Sequence, residues 1–166
     1  MTTGNAEGGM LPRDLIDQLA AMPRLLESSA DRLPRAEWTR QPAPGVFSLV
    51  EHCCHLRDLE EEGYTLRIRR MLREQEPVLD DFDGGAVAAR RAYPSQDLAA
   101  AVRSFAEARG RNLSVLHGLD SRALARTARF GEQGIITVQR LAELMAEHDA
   151  GHRVELEQLL AALGAR

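Results

Sequence analysis

The chain has 166 residues, enough for one domain with a real hydrophobic core. Its 21 basic residues are all arginine, and the net charge of −4 argues against a nucleic-acid binder that relies on overall positive charge. Aromatic residues make up 4%, so no stacking platform for single strands is evident, and no apolar run approaches the roughly 18 residues of a membrane span.

In chain order, residues 1–10 read as a flexible tail and 11–166 as one domain. The opening residues lack a basic region followed by an apolar stretch, so no secretory signal is expected. Leu11, Leu15, Leu19, Met22, Leu26 and Leu33 stand at helical spacing and predict a first helix over about 11–33. Pro23 removes a backbone donor within it, so a kink or break is expected there. The segment 34–47 holds Pro34, Pro42, Pro44 and Gly45 and reads as a loop.

A second helix is predicted from a capping box, Ser48 with Glu51 three residues on, to about residue 74. Residues 76–94, with Pro77, Gly84, Gly85 and Pro94, read as a long connection. The third helix is expected after Pro94 with Ser95 as its cap, and its stripe is Val102, Phe105, Leu113 and Leu116. Residues 118–136 read as irregular. A fourth helix is predicted over about 137–163, with Leu141, Leu144, Met145, Leu156, Leu159 and Leu163 on one side. Strand patterns are nearly absent, so the fold class is all-α, a four-helix bundle.

The chemistry concentrates in histidines. His148 and His152 are four apart, on one helix face about 6 Å along the axis, in the middle of an apolar stripe. Two imidazoles buried there need partners, and a shared divalent metal is one answer. His55, from the second helix, is the candidate third ligand, which leaves a coordination position open. Its mixed face, with Leu59, Glu62 and Leu66, suits a polar cavity. His52, one turn earlier, could compete for that role but reads in preference as a solvated first-turn histidine, and His117 as a helix-end cation. The His-Glu-x-x-His protease pattern fits poorly, because Asp149 stands where the glutamate would be.

Glu51 has two open readings, the capping box or an acceptor that orients His55. Arg109 lies within an apolar stripe. Its stem packs while its head reaches solvent, or it pairs with Glu51, Asp149 or Glu155, or it binds an anionic substrate group. Cys53 and Cys54 read as small buried hydrophobes, not as a disulfide, and the lack of a disulfide framework suggests a reducing cytoplasm.

With these residues in view, the chain resembles the DinB-like family of small metal-binding helical bundles. Phe47-Ser48-Leu49-Val50-Glu51-His52-Cys53-Cys54-His55-Leu56 is similar to the Trp-Ser-x-x-Glu-x-x-x-His-Leu opening of the family's second helix. His148-Asp149-Ala150-Gly151-His152-Arg153-Val154-Glu155-Leu156 is similar to its His-x-x-x-His segment, with Glu155 where glutamine is usual. Phe47 replaces the usual tryptophan, and Trp38 fits the usual layout. The likeness spans about residues 11–163.

The resemblance implies an up-down-down-up bundle with long crossover connections. It implies a divalent metal, zinc or nickel, on His55, His148 and His152, and a homodimer acting on a small molecule; charge, hydropathy and cysteine usage add the expectation of a cytoplasmic protein without nucleic acid or membrane. Some relatives look like transferases or isomerases that use a low-molecular-weight thiol. On that reading Glu51 and Arg109 are the candidate catalytic residues. A metal-dependent hydrolase, with Glu51, Glu62 or Glu155 as base, and a non-catalytic metal-binding or dimerisation bundle are the alternatives. The lysine-free, arginine-rich composition hints at a GC-rich genome and so at mycothiol among the thiols.

Overall fold

The computed structural model describes residues 10–165, so all but Met10 of the expected tail lies outside the described residues. Helix α1, Arg13–Arg32, buries Leu15, Leu19, Met22 and Leu26 along one stripe. Pro23 sits inside it without interrupting it, contrary to the break that its missing donor suggests. The indole of Trp38 donates to the carbonyls of Ala30 and Leu33, which the helix end leaves without partners.

Helix α2, Leu49–Asp58, opens on the predicted capping box. The Glu51 backbone N–H donates to Ser48 Oγ at 3.4 Å, and the Ser48 N–H donates to the Glu51 carboxylate at 2.8 Å. The helix runs on without a stop through a π-helical segment, Leu59–Tyr64, into α3, Thr65–Arg73. Helix α5, Leu98–His117, starts from Asp97, whose carboxylate accepts from the Ala100 N–H at 2.6 Å. Ser95, the expected cap, instead ends a short 3-10 turn and donates to the Ala92 carbonyl. Helix α7, Val138–Ala162, is capped by Thr137.

Cross-helix contacts fix the direction of each element. Leu19 meets Arg109 while Glu27 lies beside Leu98 and Val102, so α1 and α5 are antiparallel. Arg57 meets Gln96 while Thr65 meets Asn112, so α2–α3 and α5 run parallel. His52 meets His152 while Tyr64 faces His148, so α7 opposes α2–α3. The order is therefore up-down-down-up, and a parallel neighbour demands the long crossover between α3 and α5.

The two long connections are not plain loops. The first holds helix α4, Gly84–Arg91, and the second holds the short α6, Ser121–Leu124. Strands β1 (Val78–Leu79), β2 (Thr127–Phe130) and β3 (Ile135–Thr137) form one small sheet. β1 pairs parallel with β2, Val78 opposite Arg129, and β2 pairs antiparallel with β3, Ala128 opposite Ile136. Runs of two to four residues are too short to carry an alternating pattern, which is why sequence periodicity does not reveal them.

The core is split in two. One apolar cluster gathers Met22, Leu26, Leu49, Leu56, Phe105 and Leu156, and the other Leu19, Leu59, Met71, Leu116, Leu141 and Met145. On each long helix a polar residue or a change of cluster falls between them: Arg109 between Phe105 and Leu116, and His148 to His152 between Met145 and Leu156. This buried polar layer is where the candidate site lies.

Candidate metal centre

Helix α7 holds His148 and His152 one turn apart, and α2 lays His55 against them. One ligand atom from each of the three lies within 4.8 Å of the others. His148 Nε2 and His152 Nε2 face each other at 3.2 Å, close to the ligand–ligand edge of a tetrahedral site with metal–nitrogen distances of about 2.0–2.1 Å. The Nδ1 atoms of His55 and His148 are buried without a protein partner. Gly84, the first residue of α4, packs onto the His55 ring so closely that a Cβ there would lie 2.5 Å from Cε1.

His52 is the main correction to the sequence reading. It is 1% exposed, not solvated, and its Nδ1 lies 3.0 Å from His152 Nδ1. Its position three residues before His55 puts it on the same helix face, the spacing that makes it a competitor for the ligand role. Glu155, three residues after His152, places a carboxylate oxygen 3.2 Å from His152 Nδ1 and 3.8 Å from His52 Nδ1. His52, His152 and Glu155 thus form a second potential metal-holding set. The two sets share His152, one using Nε2 and the other Nδ1.

Electrostatics keeps these rings neutral. Burial, reinforced by His148, His52 and His55, pushes His152 down to about 2. Burial lowers His148 to about 4, with His55, Arg109 and Arg67 adding to the effect. His52 is lowered to about 4 by burial and His55 against the opposing pull of Glu51, and burial also lowers His55. Neutral imidazoles carry free lone pairs at neutral pH, so protons do not compete for them there. The donor set fits a divalent cation.

The same shifts set a pH dependence for the metal-free protein. With folded values below the unfolded value of about 6.5, the unfolded chain binds more protons, so stability is full above that value and falls as pH drops towards 4. Each such ring costs on the order of 2 kcal/mol at pH 5. Melting of the chelator-treated protein at pH 5 should therefore fall by at least about 5 °C relative to pH 7.5. An unchanged melting temperature would mean that the rings are not buried in neutral form.

The two residues predicted as catalytic stand elsewhere. The Glu51 carboxylate is occupied by the Ser48 N–H and by Gln41 Nε2, which donates to both oxygens at 3.1 Å, so the capping role holds it and it lines neither cavity at the histidines. Arg109 is 1% exposed, so its head does not reach solvent. Its guanidinium donates to Asp149 at 2.6 and 3.1 Å, to Glu60 at 2.9 Å and to the Leu19 carbonyl at 2.9 Å. Burial alone would lower its pKa, but Glu60 and Asp149 outweigh that and raise it. Asp149 was an anticipated partner, whereas Glu60, presented by the π-helical segment, was not. Arg109 ties this buried layer together and lines neither cavity at the histidines.

Two cavities meet the histidine cluster from different sides. The larger, about 650 Å³, is lined by Val46 and Phe47 of the connection before α2, and by His52, His152, Glu155 and Gln158. The smaller, about 270 Å³, reaches His55 and His148 beside the small sheet. Its other walls are Phe82 and Asp81 from the 76–94 connection, Phe130 and Gln133 from the 118–136 segment, and Tyr64 and Arg67. Both long connections therefore line the smaller cavity, while the larger one depends on the connection before α2. Cys53 and Cys54 are free and buried, and burial raises both thiols, Cys54 to about 11. His117 is exposed in the last turn of α5.

These elements define a four-helix bundle whose buried polar layer carries a histidine cluster open to two cavities. The sequence profile of the DinB superfamily matches residues 18–156. The chain belongs to the DinB superfamily. Its fold is similar to that of YfiT from Bacillus subtilis, with a TM-score of 0.83 at 19% identity over 92% of this chain and 87% of that one. YfiT is described as "a probable metal-dependent hydrolase with an unusual four-helix bundle topology". No curated protein matches the sequence. Among the described residues, no helix is long and apolar enough to cross a membrane.

Proposed function

We propose that the chain is a metal-dependent enzyme that joins a low-molecular-weight thiol to a small electrophilic substrate, or isomerises the substrate with the thiol's help. His55, His148 and His152 would hold a divalent ion, zinc or nickel, both of which accept imidazole donors. When bound, such an ion lowers the pKa of a thiol or a water molecule brought to it. The observation that carries the reading is the position of the histidines in the wall between two separate cavities. Two compartments that meet at one point suit a reaction of two substrates, whereas a hydrolase has one substrate and water to place.

The chain's own residues divide the work. The larger cavity, within the usual range of about 300–1,000 Å³ for ligand pockets, suits the thiol compound. Glu155 faces it and is the available carboxylate to take the thiol proton, since Glu51 is held in its cap and Glu62 is paired with Arg91. The contacts of His152 Nδ1 with His52 and Glu155 turn its Nε2 towards His148 and fix its tautomer. Phe47, Phe82 and Phe130 present apolar walls that limit water around the histidines.

Optical titration of the cobalt-substituted protein tests this reading. Mycothiol, bacillithiol or glutathione should produce a sulfur-to-cobalt charge-transfer band that saturates at millimolar concentration or below. A cobalt spectrum that ignores all three thiols but responds to acetohydroxamate would replace the transferase with the hydrolase. YfiT, whose likeness to this chain is one of fold, supports that second reading.

A further inference from the structure

The sheet-side cavity is lined by a buried cation, Arg67. Arg67 is 6% exposed, and its guanidinium lies 4.4 Å from the Phe130 ring centroid and 5.5 Å from that of Tyr64. One of its nitrogens, Nη2, donates to the Asp80 carbonyl at 2.8 Å, while Nε is buried with no partner. Among the described residues no carboxylate lies within ion-pair distance of it, unlike Arg109. A buried arginine with unspent donors is expensive to keep, and a planar guanidinium held between two rings is already oriented. Burial lowers its pKa despite the pull of Tyr64, Asp81 and Asp80, so its charge is under-compensated by the protein itself.

The π-helical segment explains how Arg67 comes to share a cavity with His55. Twelve residues along a regular α-helix would set the two about 120° apart around the axis. One inserted residue, as in a π-bulge, reduces this to about 20° and brings both to one face. The bulge at Leu59–Tyr64 lies between them, and both line the same 270 Å³ cavity, with His148 beside His55.

We propose that Arg67 is the anion-binding residue of this cavity, where it holds a carboxylate of the small substrate next to the histidine cluster. The planar fork matches a carboxylate, and the nearby Asp80 and Asp81 favour a singly charged group over a more highly charged phosphate. The inference rests on the metal-centre reading and names the substrate class of that site, a small organic acid. Arg67 then sets specificity at the end of the substrate away from the reacting carbon.

The test uses the full chain loaded with cobalt and two probes, 3-mercaptopropionate and its methyl ester. The wild type should bind the acid about tenfold more tightly than the ester, a preference worth one charge-assisted contact. In Arg67→Met the cobalt spectrum and ester affinity should persist while the preference disappears. Arg67→Lys, which keeps the charge and most of the stem, should retain about threefold, because a point charge cannot match the fork. If Arg67→Met fails to fold, the lysine variant alone decides by whether the ratio drops. No preference in the wild type, or an unchanged ratio in the folded variants, would overturn the anion subsite while leaving the metal centre intact. Failure of the wild type to take up cobalt would instead overturn the metal centre and this proposal with it.

Discussion

Replacing Arg109 with methionine should destabilise the protein by about 3–5 kcal/mol, the largest effect expected of any single substitution outside the apolar core. The side chain touches all four long helical stretches. It reaches the Leu19 carbonyl on α1 and Glu60 on the π-helical segment, and from α5 it grips Asp149 on α7. Asn112 donates to the other Glu60 oxygen at 2.7 Å, and Thr65 donates to Asn112, so the network leaves few polar atoms without partners. Methionine fills similar space but leaves two buried carboxylates with no counter-charge. Burial already raises Asp149 against the opposing pull of Arg109, so without the cation that carboxyl would be driven towards its neutral form. The expected fall in melting temperature is about 10 °C or more. Adding Glu60→Gln and Asp149→Asn to the methionine variant should recover part of the loss, since replacing a whole buried ion group costs less than breaking it. A loss below about 1 kcal/mol for Arg109→Met would show that the layer is hydrated and not dry.

How much of this could be read from the sequence follows the range of the interactions involved. Ser48 with Glu51 and His148 with His152 are local patterns, and each appears in the structure with the spacing that helical geometry dictates. The heptad-scale stripes likewise gave the four long helices to within a few residues. Arg109 and Glu60 are far apart in sequence, so neither local pattern nor propensity could pair them. The π-helical segment is a one-residue change of phase, invisible to a period fitted over a whole helix, yet it lies between His55 and Arg67 and brings both to one cavity. Helix α4 was hidden because Gly84 and Gly85 signal a loop. Gly84 is needed for another reason, since the His55 ring occupies the space a side chain would fill. His52 was misread because a first-turn histidine is usually solvated, whereas here the incoming α7 covers it.

Substituting His152 with alanine should lower affinity for zinc or cobalt by at least about two orders of magnitude. A full structural zinc site is worth about 10–16 kcal/mol, so one of its ligands carries roughly 3 kcal/mol. His152 is the informative choice because it belongs to both candidate sets, and losing it removes Nε2 from one and Nδ1 from the other. Single substitutions then separate the sets. If His55, His148 and His152 hold the ion, His55→Gln should match the alanine variant, while His52→Gln should cost only about 10–100-fold, as expected for a group that orients a ligand. If His52, His152 and Glu155 hold it, the ranking of His52 and His55 reverses. Metal content by mass spectrometry after dialysis, with competition against a chelator of known affinity, reads each case directly. Equal metal in wild type and His152→Ala would remove the metal centre from the account altogether. The cluster would then be a buried group of neutral imidazoles, and the convergence of three ring nitrogens within 4.8 Å, with His148 Nε2 and His152 Nε2 only 3.2 Å apart, is the physical reason for expecting the opposite result.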